Sequence, residues 1–99
     1  MEQARAVANL ASVLAERGRV AAAVVKYEVA LGLLRELGDS AREARVLNHV
    51  TVSCMALKRY AEALRHAARH ASLVAGDATA LSAIAQRIAE IKRLLRAQS

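Results

Sequence analysis

The chain has no proline, no phenylalanine and no tryptophan, and only one cysteine and two tyrosines among its 99 residues. Without proline nothing interrupts a helix from within, so the four glycines, Gly18, Gly32, Gly38 and Gly76, have to supply the breaks. The single cysteine, Cys54, excludes an internal disulfide and suits a reducing compartment. Tyr27 and Tyr60 alone cannot furnish the stacking platforms on which bases lie, and no nucleic-acid motif accompanies them, so nucleic acid is not the expected partner. No apolar run approaches the ~18 residues of a membrane span, and Met1-Glu2-Gln3 lacks the basic and apolar regions of a signal peptide. These absences lead to the expectation of a soluble cytoplasmic protein, with the nucleus as the other compartment open to it and no membrane partner.

A chain of this length forms one small domain that buries roughly two thirds of its extended-chain surface. The apolar fraction is 56%, and alanine supplies much of it. The core must then be built from small and aliphatic side chains packed at close helix spacing. The formal net charge of +6 comes mainly from arginines spread along the chain and not gathered into a tail. Such a charge speeds encounters with acidic partners without choosing among them.

Apolar periodicity breaks at three of the glycines and divides the chain into five helices in antiparallel succession. The first runs from about Glu2 to Arg17 and stops at Gly18; the second runs from about Arg19 to Leu37 and ends at Gly38, the expected C-terminal glycine. Asp39-Ser40 opens a third that reaches about Leu57, and Ser40 and Glu43 have the spacing of a capping box. A fourth spans about Tyr60 to Ala75 and is terminated by Gly76, after which Asp77 caps a fifth that continues to about Ala97. In the second helix Val20, Ala23, Val24, Tyr27, Ala30, Leu31 and Leu34 recur at steps of three or four and form one buried stripe. Ile84, Ile88, Ile91 and Leu95 do the same in the last helix, while Ala11, Ala23, Ala30, Thr51 and Ala63 mark places of close helix approach.

The chain is also similar to itself. Ala4 to Ala11 aligns with Ala44 to Thr51 at an offset of 40 residues, and Gly18 to Val24 aligns with Lys58 to Leu64 at the same offset. Gly38-Asp39 recurs as Gly76-Asp77 at an offset of 38, on which Ile88-Ala89 corresponds to Val50-Thr51. The expected organisation is a single domain with one repeat over about 4–39, a second over about 40–77, and a third-repeat or capping helix over about 78–97.

Val7, Leu10, Ala11 and Leu14, and again Leu47, Val50, Thr51 and Cys54, follow a pattern of large, large, small and large residues. Ala23, Tyr27 and Ala30 then give a small residue, an aromatic and a small residue. In this the chain resembles the tetratricopeptide repeat family. Its second unit departs from that pattern, with Ala67 and His70 where the aromatic and the small residue would stand. The family's commonest period is about 34 residues. The longer period here, together with Leu34-Arg35-Glu36-Leu37-Gly38-Asp39, is similar to the branch found in polarity adaptors, kinesin light chains and bacterial regulators. Lys92 occupies the aromatic position of the last helix, which suits a solvated cap. The resemblance implies an all-α, right-handed superhelix that binds protein segments on its concave side.

Residue types that carry chemistry are present without the arrangements that chemistry needs. His66 and His70, with Glu62 a turn earlier, have a zinc-ligand spacing but no third ligand of fixed place, and a surface His66 beside a partly buried His70 is the simpler expectation. Cys54 stands at an apolar position with no histidine beside it and is expected to be a buried, inert thiol. Ser12, Ser53 and Ser72 lack a companion base, and glycine-rich phosphate loops are missing. The basic residues Arg87, Lys92, Arg93 and Arg96 lie beside an apolar stripe that packing on the preceding hairpin explains more economically than a membrane surface. No enzyme activity, cofactor or metal is expected.

In a superhelix of helix pairs the first helix of each pair lines the concave side. The positions there that the buried pattern leaves free are Arg5, Asn9 and Ser12, then Arg45, Asn48, His49 and Val52, then Gln86, Arg87 and Glu90. Amide side chains can satisfy an extended peptide backbone, and arginine offers a forked donor to carboxylates. The expected function is a scaffold that holds an acidic segment of a protein partner, with Arg45 and Arg87 as its principal cations. The competing reading is structural: a segment of a longer array, or a self-associating module whose end helices stack, with Val7, Val13 and Leu14 leaving an apolar end face.

Overall fold

The computed structural model describes residues 2–98. Five helices account for most of them: α1 Glu2–Glu16, α2 Val20–Leu37, α3 Ser40–Ala56, α4 Tyr60–Leu73 and α5 Ala78–Gln98, with no strand among the described residues. Each helix packs chiefly on its neighbours in sequence. The Cα envelope measures 39 × 33 × 18 Å, so its thin dimension holds about two helix layers at the usual spacing of about 8–10 Å.

The turns explain why the helices end where they do. Gly18 takes φ +80°; its N–H donates to the Ala15 carbonyl and the Arg19 N–H donates to the Leu14 carbonyl, a left-handed C-terminal closure. Gly38, at φ +67°, closes α2 in the same way through Arg35 and Leu34. Forty residues after Gly18, Lys58 at φ +60° makes the equivalent bonds, its N–H to Met55 and the Arg59 N–H to Cys54. That conformation is strained for a residue with a Cβ.

At two places the local reading of the sequence is corrected. The cap of α3 is Asp39, whose carboxylate accepts the Arg42 N–H at 3.1 Å; Ser40 is already helical and Glu43 is drawn into a buried ion cluster, so no capping box forms. Helix α4 stops at Leu73 and not at Ala75, and Gly76 does not adopt the left-handed conformation. Asp77 does cap α5, accepting the Ala80 N–H at 3.1 Å.

The core is alanine-rich, as close packing of helix hairpins demands. Ala11, Ala23, Ala30, Thr51 and Ala63 are fully buried at the close approaches, and Val24, Tyr27, Leu31, Leu34, Leu47, Val50, Cys54 and Ile91 fill the wider spaces. Tyr60 is only half-buried at the start of α4, so the two tyrosines are not equivalent. The exposed large residues of α1 are Leu10 and Val13, while Val7 and Leu14 pack against the core, which revises the expected end face.

Candidate functional site

Helices α1 and α3 flank a pocket of about 320 Å³ lined by Ala4, Arg5, Ala8, Asn9 and Ser12 from one side and Arg42, Arg45, Val46 and His49 from the other, with Tyr27 and Leu34 contributed by α2. The side chains reach it by helical spacing: Arg5, Asn9 and Ser12 lie within two turns on one face of α1, and Arg42, Arg45, Val46 and His49 do so on α3. Buried Tyr27 forms the floor. Its hydroxyl lies 3.1 Å from Ser12 Oγ, and its ring stacks on His49 with centroids 5.9 Å apart and planes at 9°.

Three guanidinium groups surround this space, and no carboxylate of the described residues lines it. Arg5 keeps a loose contact with Glu2 at 3.8 Å, and Arg42 lies 3.5 Å from Asp39. Arg45 is exposed and has no acidic partner among the described residues. A small pocket with forked donors around it and an aromatic floor can receive a planar anion such as a carboxylate.

The structure thus gathers Arg5, Asn9, Ser12, Arg45 and His49 of the ten groove positions into one pocket, and adds Arg42, Tyr27 and Val46 to them. The remaining five lie elsewhere. Asn48 accepts a hydrogen bond from Arg87, so α3 and α5 are bridged where α1 and α3 stand apart. Glu90 is exposed and paired with Arg93, while Gln86 and Val52 face solvent away from the pocket. Arg42 was legible as the residue three before Arg45, on the same face; Tyr27 was read only as core.

A second polar cluster lies outside the pocket. Glu43 on α3 is 2% exposed, and its carboxylate accepts hydrogen bonds from Arg35 of α2 at 2.8 Å and from Arg69 of α4 at 2.9 and 3.2 Å. The Arg69 hydrogen bond, assisted by Arg35, holds its carboxyl below the usual range against the opposing effect of burial. The result is an electrostatic pin joining three helices.

The histidines and the cysteine resolve along similar lines. His66 is not a surface residue: its side chain is 12% exposed, and Nε2 sits 3.4 Å from Glu28 of α2 without the alignment of a hydrogen bond. Burial lowers its pKa more than Glu28 raises it, so the ring is predominantly neutral at pH 7. His70 is half-buried, and burial and then Arg87 push its pKa down. No group of three metal-ligating side chains comes together among the described residues. Cys54 is fully buried, and burial, with lesser contributions from Glu62 and Glu28, raises its pKa to about 11, which suppresses the reactive thiolate. No helix is long and apolar enough to cross a membrane among the described residues.

Comparisons with family models, with curated proteins and with solved structures return no match to this chain.

Proposed function

We propose that the chain is a non-catalytic protein-binding module of tetratricopeptide type, a right-handed helical superhelix that holds an acidic segment of a partner protein in the pocket between α1 and α3. The observation that carries this reading is the convergence of Arg5, Arg42 and Arg45 on one pocket without a lining carboxylate. The recurrence of the same turn hydrogen bonds at Gly18 and Lys58 supports the repeat on which the superhelix rests.

The size of the pocket sets the mode of binding. About 320 Å³ lies at the small end of the ~300–1,000 Å³ typical of ligand sites. One or two side chains of a partner fit, so the anchor is a Glu or Asp carboxylate held by an arginine fork, while Asn9 bonds to the adjoining backbone. Exposed ion pairs contribute little individually. Affinity then depends on several contacts along an extended segment and weakens with salt.

The test is a titration of a fluorescein-labelled oligoglutamate peptide followed by anisotropy. Arg5→Glu with Arg45→Glu is expected to weaken binding at least tenfold and leave Tm nearly unchanged, because both residues are exposed. Arg65→Glu with Arg96→Glu makes the same change of net charge away from the pocket and is expected to have a small effect. Equal losses in the two variants would show diffuse attraction to a basic protein and would remove the pocket as the site.

A further inference from the structure

One end of the molecule is apolar and uncovered. Val50 and Ser53 of α3 are buried, as is Glu43, which meets Arg35 of α2 and Arg69 of α4; His66 of α4 lies against Glu28 of α2. These residues mark the side of the second hairpin that faces the first. The positions forty residues earlier are Leu10, Val13 and Gln3 on α1 and Val29 and Lys26 on α2, and all five are exposed. Leu33 and Leu37 of α2 adjoin Gln3 on the same side. Leu10 is 47% exposed where Val50 is 0%. The first hairpin therefore presents the counterpart of the surface with which the second hairpin packs, and its large residues Leu10, Val13, Val29 and Leu37 are left exposed among the described residues.

We propose that this face, Leu10 and Val13 of α1 with Val29, Leu33 and Leu37 of α2, binds the same face of a second copy in a two-fold, head-to-head dimer. Three features select that occupant. Head-to-tail stacking would need an apolar surface at the other end, but no large aliphatic side chain of α4 or α5 is exposed. Charge distribution points the same way: residues 2–37 carry five basic and four acidic side chains, and residues 38–99 carry ten and five, so two copies meeting through their first hairpins keep their strongly basic parts apart. The contact area is also adequate for a weak dimer. Helix α2 has 18 residues, about 27 Å at 1.5 Å per residue, and two helices of about 10 Å width give about 500 Å² per copy. The pair buries about 1,000 Å², the lower bound for a specific interface. Lys26 lies within this face, where its long stem can cover apolar surface while the ammonium reaches the rim.

This inference rests on the forty-residue correspondence and not on the pocket. Arg5→Glu with Arg45→Glu touches none of the five face residues, so failure of peptide binding and failure of dimerisation are separately observable. Sedimentation equilibrium of the chain from low micromolar to millimolar concentration is expected to show a monomer–dimer equilibrium without larger species. Leu10→Glu with Val29→Glu is expected to shift it to monomer over that range with unchanged helicity, as is the milder pair Leu10→Ser with Val29→Ser. Ala89→Glu, on the exposed side of α5, is expected to leave it unaltered. A wild-type chain that stays monomeric throughout, a series of growing oligomers, or a dimer that survives both α1–α2 pairs would each overturn the proposal.

Discussion

Replacing Glu43 by glutamine tests whether the buried ion cluster holds three helices together. The carboxylate is 2% exposed and accepts three charge-assisted hydrogen bonds, whereas Arg35 and Arg69 are 46% and 47% exposed and can turn to water when it loses its charge. The cost therefore falls on Glu43, and a charge-assisted hydrogen bond is worth about 1.5–3 kcal/mol. Glutamine keeps the shape and one acceptor oxygen, so a loss of about 2 kcal/mol is expected for Glu43→Gln. In a chain of this size that lowers Tm by about 8–16 °C. The pH dependence adds a second signature. The Glu43 pKa is held below 4.5 in the folded state, so the cluster's stabilisation is complete above about pH 4.5 and is lost as the pH falls through the lower folded value. Thermal melts followed by circular dichroism from pH 7 to pH 3 should show the two proteins converging at acid pH. A difference in Tm that is small at pH 7, or constant across the range, would refute the assignment. Arg69→Ala should also destabilise the wild type more than it destabilises Glu43→Gln.

Lys58→Gly is expected to stabilise the protein by about 0.5–1 kcal/mol, because glycine removes the cost of a left-handed backbone at φ +60°; a lowered Tm would refute the strain. Tyr27→Ala is expected to cost about 3–5 kcal/mol in urea unfolding, and Tyr27→Phe, which loses only the contact with Ser12, about 1 kcal/mol. A cost below about 1 kcal/mol for Tyr27→Ala would mean that the ring is not the support on which α1 and α2 close.

The succession of five helices was legible because its signals are local. An apolar stripe with steps of three and four dictates which side of α2 is buried, and the residues so read, from Ala23 to Leu34, are buried. Gly18 and Gly38 end helices through backbone freedom that only neighbouring residues need share. The end of α4 was misread for the same reason: Gly76 has the right composition for a stop, but α4 ends before it, at Leu73, with the Val74 N–H bonded to the His70 carbonyl. Tyr60 occupies the position of Val20, forty residues earlier, and both are half-buried, so it is no counterpart of the buried Tyr27.

Glu43 shows where local reading stops. Its distance of three residues from Ser40 fits a capping box, but its partners are eight and twenty-six residues away on other helices. The available signal was its place on the stripe of Val46, Val50 and Ser53, since a carboxylate on a buried stripe requires cations from the helices packed over it. The groove is similar. The forty-residue offset brings Arg5 and Arg45 to equivalent positions, and both reach the pocket; the separate 38-residue offset makes Arg87 the counterpart of His49, and there the outcome differs. His49 stacks on Tyr27 at the floor of the pocket; Arg87 reaches from α5 to Asn48, which stands forty residues after the small Ala8. The side chains at equivalent positions therefore decide the outcome: an arginine opposite an amide bridges α3 and α5, whereas an alanine and a histidine line the open pocket between α1 and α3.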